Sequence, residues 1–172
     1  MPLLDSFSTI KLKSAYFVRV ENLRKDNRIV YFQFDTGASM SLIGLNTICD
    51  ENIDLQNKLK SLILDEANRS KVDMLSNSPK TVTNQTIDVY PCMMRNVSIM
   101  HTAPIDFYFY IFLGTINMPL LGFDYIDGFT YHHSANGNIE VLSISLESVK
   151  HTYPDDVIDF DIVMRRFGNC IN

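Results

Sequence analysis

Tyr31-Phe32-Gln33-Phe34-Asp35-Thr36-Gly37-Ala38-Ser39-Met40-Ser41-Leu42-Ile43 is an apolar strand that runs directly into Asp-Thr-Gly-Ala-Ser and then turns apolar again. The stretch sets one carboxylate, Asp35, at the end of a strand whose other residues favour burial. An ionisable group in that position costs free energy unless it is hydrogen-bonded or its pKa moves, so it needs a reason, and catalysis is one. Thr36 offers a hydroxyl to lock a tight loop, Gly37 allows a backbone conformation and a close approach that a side chain would block, and Ala38 keeps the site open. The plainer alternative is a turn in which Asp35 serves as an Asx-type cap.

Working outward, Ile10, Leu12, Tyr16, Val18 and Val20 alternate with more polar residues, residues 22–27 form a polar turn, and residues 28–34 resume the extended pattern. This predicts a β-hairpin that delivers Asp35. Downstream, Leu55, Leu59, Leu62 and Ile63 recur at helical spacing within residues 52–68, with Asp50 or Asn52 available as N-cap, which predicts an inserted helix. Residues 81–90 are rich in β-branched side chains, and Asn84 suits the left-handed conformation of a hairpin tip. Residues 97–100 and 105–113 supply further strands, the second apolar enough for burial on both faces. Asn136-Gly137 between residues 129–131 and 139–144 is a hairpin signal.

Short strands with turn punctuation thus predict a mainly β fold. The tail, residues 151–172, carries Val157, Ile158, Phe160, Ile162, Val163 and Phe167 interrupted by acids, and is expected to pack on the core or on a second subunit. No linker or internal repeat divides the chain, so residues 1–172 read as a single domain. The 172 residues, 46% hydrophobic and 20% charged, suit one core of ordinary size.

A net charge of -5 argues against nucleic-acid binding, which needs a basic stripe. Lys11, Lys13, Arg19, Arg24, Lys25 and Arg28 cluster in sequence, but they alternate with apolar residues and read as a solvated strand face. Cys49, Cys92 and Cys170 have no metal-ligand spacing and leave one over, so a disulfide framework is not expected and a reducing compartment fits better. No apolar leader follows Met1, and the apolar run 107–113 is far short of the roughly 20 residues that span a bilayer. A soluble, cytoplasmic protein without a membrane partner is the expectation.

Other chemistries are weaker. The adjacent His132 and His133 point to opposite faces of a strand, and neither they nor His101 and His151 fall into a metal-binding pattern. No Gly-x-Ser-x-Gly elbow occurs. Asp155, Asp156, Asp159 and Asp161 are more simply a solvated tail than a glycosidase pair.

The Asp35 segment resembles the active-site loop of the retropepsin-like aspartic peptidases, in which an apolar strand precedes Asp-Thr-Gly, then Ala or Ser, then an apolar pair, here Leu42 and Ile43. Met118-Pro119-Leu120-Leu121-Gly122-Phe123-Asp124-Tyr125-Ile126 resembles the later apolar-apolar-Gly segment of that family, which passes behind the catalytic loop and leads into a short helix. The resemblance covers roughly residues 10–126. It implies a retropepsin-like closed β-barrel of the acid-protease type, with the helix at 52–68 inserted after the catalytic loop. It further implies that Leu120, Leu121 and Gly122 are structural partners of the loop, and that Thr83, Asn84 and Gln85 form the tip of a flap over the substrate. The flap departs from the family pattern in having no glycine.

Aspartic peptidase chemistry holds one water between two carboxylates, and the chain has one such loop, so the resemblance implies a homodimer in which Asp35 of each subunit meets at the two-fold axis. Thr36 would reach across that axis, Ser39 would complete the loop, and neither metal nor organic cofactor would be needed. The implied activity is hydrolysis of peptide bonds in a peptide or protein substrate. The alternative is a dimerisation or peptide-binding module of the same fold that has lost turnover, motivated by the glycine-free flap.

Overall fold

The computed structural model describes residues 9–12, 15–75, 87–135 and 137–171, which form a mainly β structure with helices on it. Strands β1 (Ile10–Leu12), β2 (Ala15–Glu21) and β3 (Val30–Phe34) form an antiparallel run at one end of the main sheet. In β3 the period-2 pattern buries Val30, Phe32 and Phe34 and exposes Tyr31, so the strand entering the Asp35 loop is anchored by its last side chain. The loop leads to β4 (Leu42–Gly44), then helices α1 (Leu45–Cys49) and α2 (Ile53–Ser70). Long strands β5 (Val89–Ile99) and β6 (Ile105–Phe112) pair antiparallel, and β7 (Leu120–Leu121) and the short helix α3 (Phe123–Ile126) follow.

The main sheet runs in the order β1-β2-β3-β7-β4-β6-β5, with β10 (Ile158–Asp159) parallel to β5 at its far side. β2 pairs a second time, Val20 opposite Ile99 and Glu21 opposite Ser98 of β5, so the run of pairings from β2 to β5 returns to β2. Strands β8 (Phe129–His133) and β9 (Ile139–Ile144) make a separate antiparallel hairpin, and Gly137 between them has φ 89°, a value that favours glycine. This ribbon lies beside the Asp35 strand, with the Tyr131 ring edge-on to Phe34 at 5.3 Å.

Phe32, Phe107, Phe109 and Tyr125 form a chain of ring contacts through the core, and Phe160 of helix α4 (Phe160–Ile171) closes on Phe109 at 5.2 Å. Helix α2 starts where Asn52 accepts the Leu55 amide at 3.1 Å, and it buries Leu59, Ile63 and Ala67. No helix among the described residues is long and apolar enough to cross a membrane.

Four expectations need correction. The alternating run 10–20 is not one strand: it folds back on itself as β1 and β2, with Leu12 opposite Ala15, and a hairpin preserves period-2 alternation in both arms. Residues 97–100 are not an independent strand: residues 97–99 are the end of β5, which passes through a register shift between Met94 and Val97 with Asn96 at φ 62°, and Met100 lies in the turn that follows. Arg24 is not on a solvated face: its side chain is 10% exposed and clamps Asp26 at 2.7 Å and Asp50 at 2.8 Å. Asp159 and Asp161 are not merely solvated either, because both meet Arg95 of β5, at 3.2 and 3.1 Å. In the tail, Ile158, Phe160, Val163 and Phe167 are buried within this chain, α4 lying against α2 and β5. The flap residues Thr83, Asn84 and Gln85 lie outside the described residues.

Candidate active site

The loop 35–41 arches between β3 and β4, and β7 threads between those two strands. Leu120 pairs parallel with Gln33 and antiparallel with Leu42, and Leu121 pairs with Phe34. Both ends of the loop are therefore registered on the same two-residue strand.

Backbone hydrogen bonds tie the crossing together. The Asp35 amide donates to the Leu121 carbonyl at 3.0 Å, and the Phe123 amide donates to the Ala38 carbonyl at 2.8 Å. Gly122 sits at the closest approach: a Cβ there would lie 2.6 Å from the carbonyl carbon and oxygen of Met40 and 2.9 Å from the Ala38 oxygen. Its own amide donates to the Ser41 hydroxyl at 3.0 Å.

Asp35 is partly exposed, and its Oδ1 accepts the Gly37 amide at 2.9 Å. This contact leaves Oδ2 without a hydrogen bond among the described residues. At Gly37 the φ is not positive, and an added Cβ would come within 3.2 Å of the Asp35 Oδ1, a tight contact that would push the carboxylate by a few tenths of an ångström. Thr36 and Ser39 are exposed, and the Thr36 hydroxyl makes no hydrogen bond among the described residues. Ala38 does not open the site: it is 5% exposed and packs into the base of the loop.

What locks the loop is a buried carboxylate absent from the sequence-based reading. Asp124, 6% exposed at the start of α3, accepts four hydrogen bonds. Its Oδ1 takes the Ser41 hydroxyl at 2.9 Å and the Tyr125 amide at 3.1 Å, and its Oδ2 takes the Ser41 amide at 3.1 Å and the Tyr153 hydroxyl at 2.6 Å. All four lone-pair positions of a carboxylate are filled, which is the condition for keeping such a group buried. Burial pushes the Asp124 pKa up, and the bonds from Tyr153, Ser41 and Tyr125 oppose that rise.

Helix α3 is short, and its position comes from packing. Tyr125 is fully buried against Phe107, and its hydroxyl both donates to the Tyr108 carbonyl at 2.8 Å and accepts the Tyr108 amide at 2.7 Å. The signal that could have exposed Asp124 is the one that exposed Asp35, an acid set directly after an apolar stretch and beside a glycine.

The arrangement presents one partly exposed carboxylate at the start of a loop braced from behind by backbone and by a buried polar network. It can position Asp35 against water or a carbonyl group with little reorganisation.

No protein-family model matches the chain, and no curated protein matches it. Among solved structures, a retropepsin-like aspartic protease from Rickettsia conorii matches with 14% sequence identity and a TM-score of 0.44, over 78% of this chain and 87% of that one.

Proposed function

We propose that the protein is an aspartic endopeptidase of retropepsin type, active as a homodimer that brings two copies of Asp35 to one water. The observation that carries this reading is the braced loop itself: a single Asp35 with Oδ1 held by Gly37 and Oδ2 without a hydrogen bond among the described residues, at a surface loop crossed from behind by Leu120, Leu121 and Gly122. A run of strand pairings that returns from β5 to β2 is the arrangement a retropepsin-like barrel would need. The exposure of Thr36 suits a side chain reserved for the partner subunit.

Two carboxylates brought to one water share one proton, because both cannot ionise easily. The ionised member takes a proton from the water as its oxygen bonds to the scissile carbonyl carbon, while the protonated member hydrogen-bonds to and protonates the carbonyl oxygen. The tetrahedral diol then collapses: the carboxyl that took the water proton gives it to the amide nitrogen, the C–N bond breaks, the other, ionised carboxylate takes the proton of one diol hydroxyl, and a carboxylic acid and an amine leave with the pair again sharing one proton. No covalent acyl-enzyme forms, and the step calls on no metal or organic cofactor. General acid-base assistance supplies roughly two to four powers of ten, with flap residues 83–85 proposed to exclude water from the bound peptide.

The test is digestion of a diverse peptide pool by wild-type and Asp35→Asn protein, read by mass spectrometry from about pH 3 to 7, the range in which coupled carboxylates titrate. Cleavage that disappears with Asp35→Asn supports the reading. Cleavage at the wild-type rate by the variant, or none by a confirmed wild-type dimer, sinks it.

A further inference from the structure

We propose that Tyr153 is a positioning residue for the Asp35 loop, so that the C-terminal segment is part of the machinery that holds the site in shape. The proposal rests on the peptidase reading for the purpose of the loop, although the hold itself is a structural claim.

Tyr153 reaches the loop by two routes. Its hydroxyl donates to Asp124 Oδ2, the carboxylate that takes both the amide and the hydroxyl of Ser41. Its ring stacks on Tyr110 at 4.7 Å and 18°, and the Tyr110 amide donates to the Ser41 carbonyl at 2.9 Å. Ser41 is thus gripped at its amide, hydroxyl and carbonyl, each time by a group that Tyr153 touches or by the Gly122 amide. A phenylalanine would fill the same buried space without a polar group to satisfy, so the hydroxyl is explained by its bond to Asp124. Burial and the neighbouring Asp124 push the Tyr153 pKa well up, which keeps the phenol a donor.

The segment carrying Tyr153 is fixed on both sides. Before it, Val149 is buried and the Thr152 hydroxyl donates to the Val149 carbonyl at 2.7 Å within a short 3-10 turn, Lys150–Thr152. After it, β10 pairs with β5. Removing one hydroxyl between these anchors loosens the loop and leaves the tail docked. The bond spans 29 positions in sequence, and the one from Asp124 to Ser41 spans 83, so the site depends on three distant parts of the chain.

The experiment is amide hydrogen exchange on the full-length Tyr153→Phe protein. Loss of a hydrogen bond to a buried carboxylate predicts roughly tenfold faster exchange at Ser41, Gly122 and Phe123, with the amides of β5, and those of β6 other than Tyr110, whose amide is bonded to Ser41, unchanged. Asp124→Asn should loosen the same amides, and adding Tyr153→Phe to it should change them little further, the mark of one shared interaction.

Unchanged exchange at these three amides overturns the proposal, and so does a uniform rise across the chain, which would make Tyr153 a packing residue only. On a cleaved peptide, kcat should fall roughly three- to tenfold with KM within about twofold. A loosened loop with wild-type kcat contradicts the positioning role. If the wild-type protein cleaves nothing, the peptidase reading fails, while the exchange result still decides whether Tyr153 holds the loop.

Discussion

Gly122→Ala is the sharpest perturbation of the loop crossing. The added Cβ would stand 2.6 Å from the Met40 carbonyl carbon and oxygen and 2.9 Å from the Ala38 oxygen, all of them backbone atoms that cannot swing aside. Reaching ordinary contact requires the crossing to open by about 0.8 Å, an overpacking that costs about 1 to 3 kcal/mol, with the upper end expected where the obstacle is main chain. The opening also stretches the bond from the Gly122 amide to Ser41 and the one from the Asp35 amide to Leu121, and weakening one such bond adds about 1 kcal/mol.

A loss of about 3 kcal/mol corresponds to a Tm lowered by roughly 6 to 12 °C for a chain of this size. The assay is urea unfolding, with a lower midpoint at unchanged slope. Because Asp35 is registered on the same crossing, the proposed peptidase activity should fall about 100-fold, as expected of a misplacement near 1 Å. Gly122→Ala protein within about 0.5 kcal/mol of wild type would show that the crossing is not tight, and that it does not brace the loop.

Gly168→Ala is the opposite case: it lies in α4 with nothing beyond its own helix within 4 Å of the new Cβ among the described residues, and it should stabilise by about 0.4 to 1 kcal/mol in the same urea assay. Tyr125→Phe strips the partner from the Tyr108 amide and carbonyl and should destabilise by about 1 to 3 kcal/mol, with a loss under about 0.5 kcal/mol counting against that pair. Arg24 holds the Asp26 and Asp50 carboxyls below their ordinary pKa of 3.8, chiefly through its side-chain hydrogen bonds. Lowered folded pKa values mean that this contribution is present above about pH 4 and is lost as pH falls further. The stability gap between wild type and Arg24→Ala, with each exposed pair worth under about 1 kcal/mol, should therefore narrow from pH 6 to pH 3, and a gap that widens on acidification refutes the pairing.

Local signals carried much of this structure. The polar-to-apolar rhythm of residues 30–43 marks the strand, the loop and the second strand, and the helical spacing behind Asn52 marks α2 to within two residues at its end. Asp35 was legible because an acid on an apolar strand is costly wherever it sits. Asp124 carries the same cost, yet its partners are Ser41 and Tyr153, 83 and 29 positions away, and no local pattern names them. The clamp of Arg24 on Asp50, 26 positions on, was hidden for the same reason, and an alternating basic run resembles a solvated face until the acids meet it. The reversal between β1 and β2 was invisible because folding a period-2 strand back on itself leaves its alternation intact. Ala38 was misread through its size: a small residue beside a carboxylate can as well make room for a crossing chain as for a substrate.

The most direct test of the central claim, that one active site is built from two copies of Asp35, is subunit mixing. Wild-type and Asp35→Asn chains are unfolded together in equal amounts, refolded so that dimers form at random, and assayed on a peptide the wild type cleaves. If both carboxylates are required, the mixture retains about one quarter of the activity of the same total of wild-type protein, because only dimers with two intact loops work. Retention of about one half would mean that each subunit acts alone, and would contradict the account.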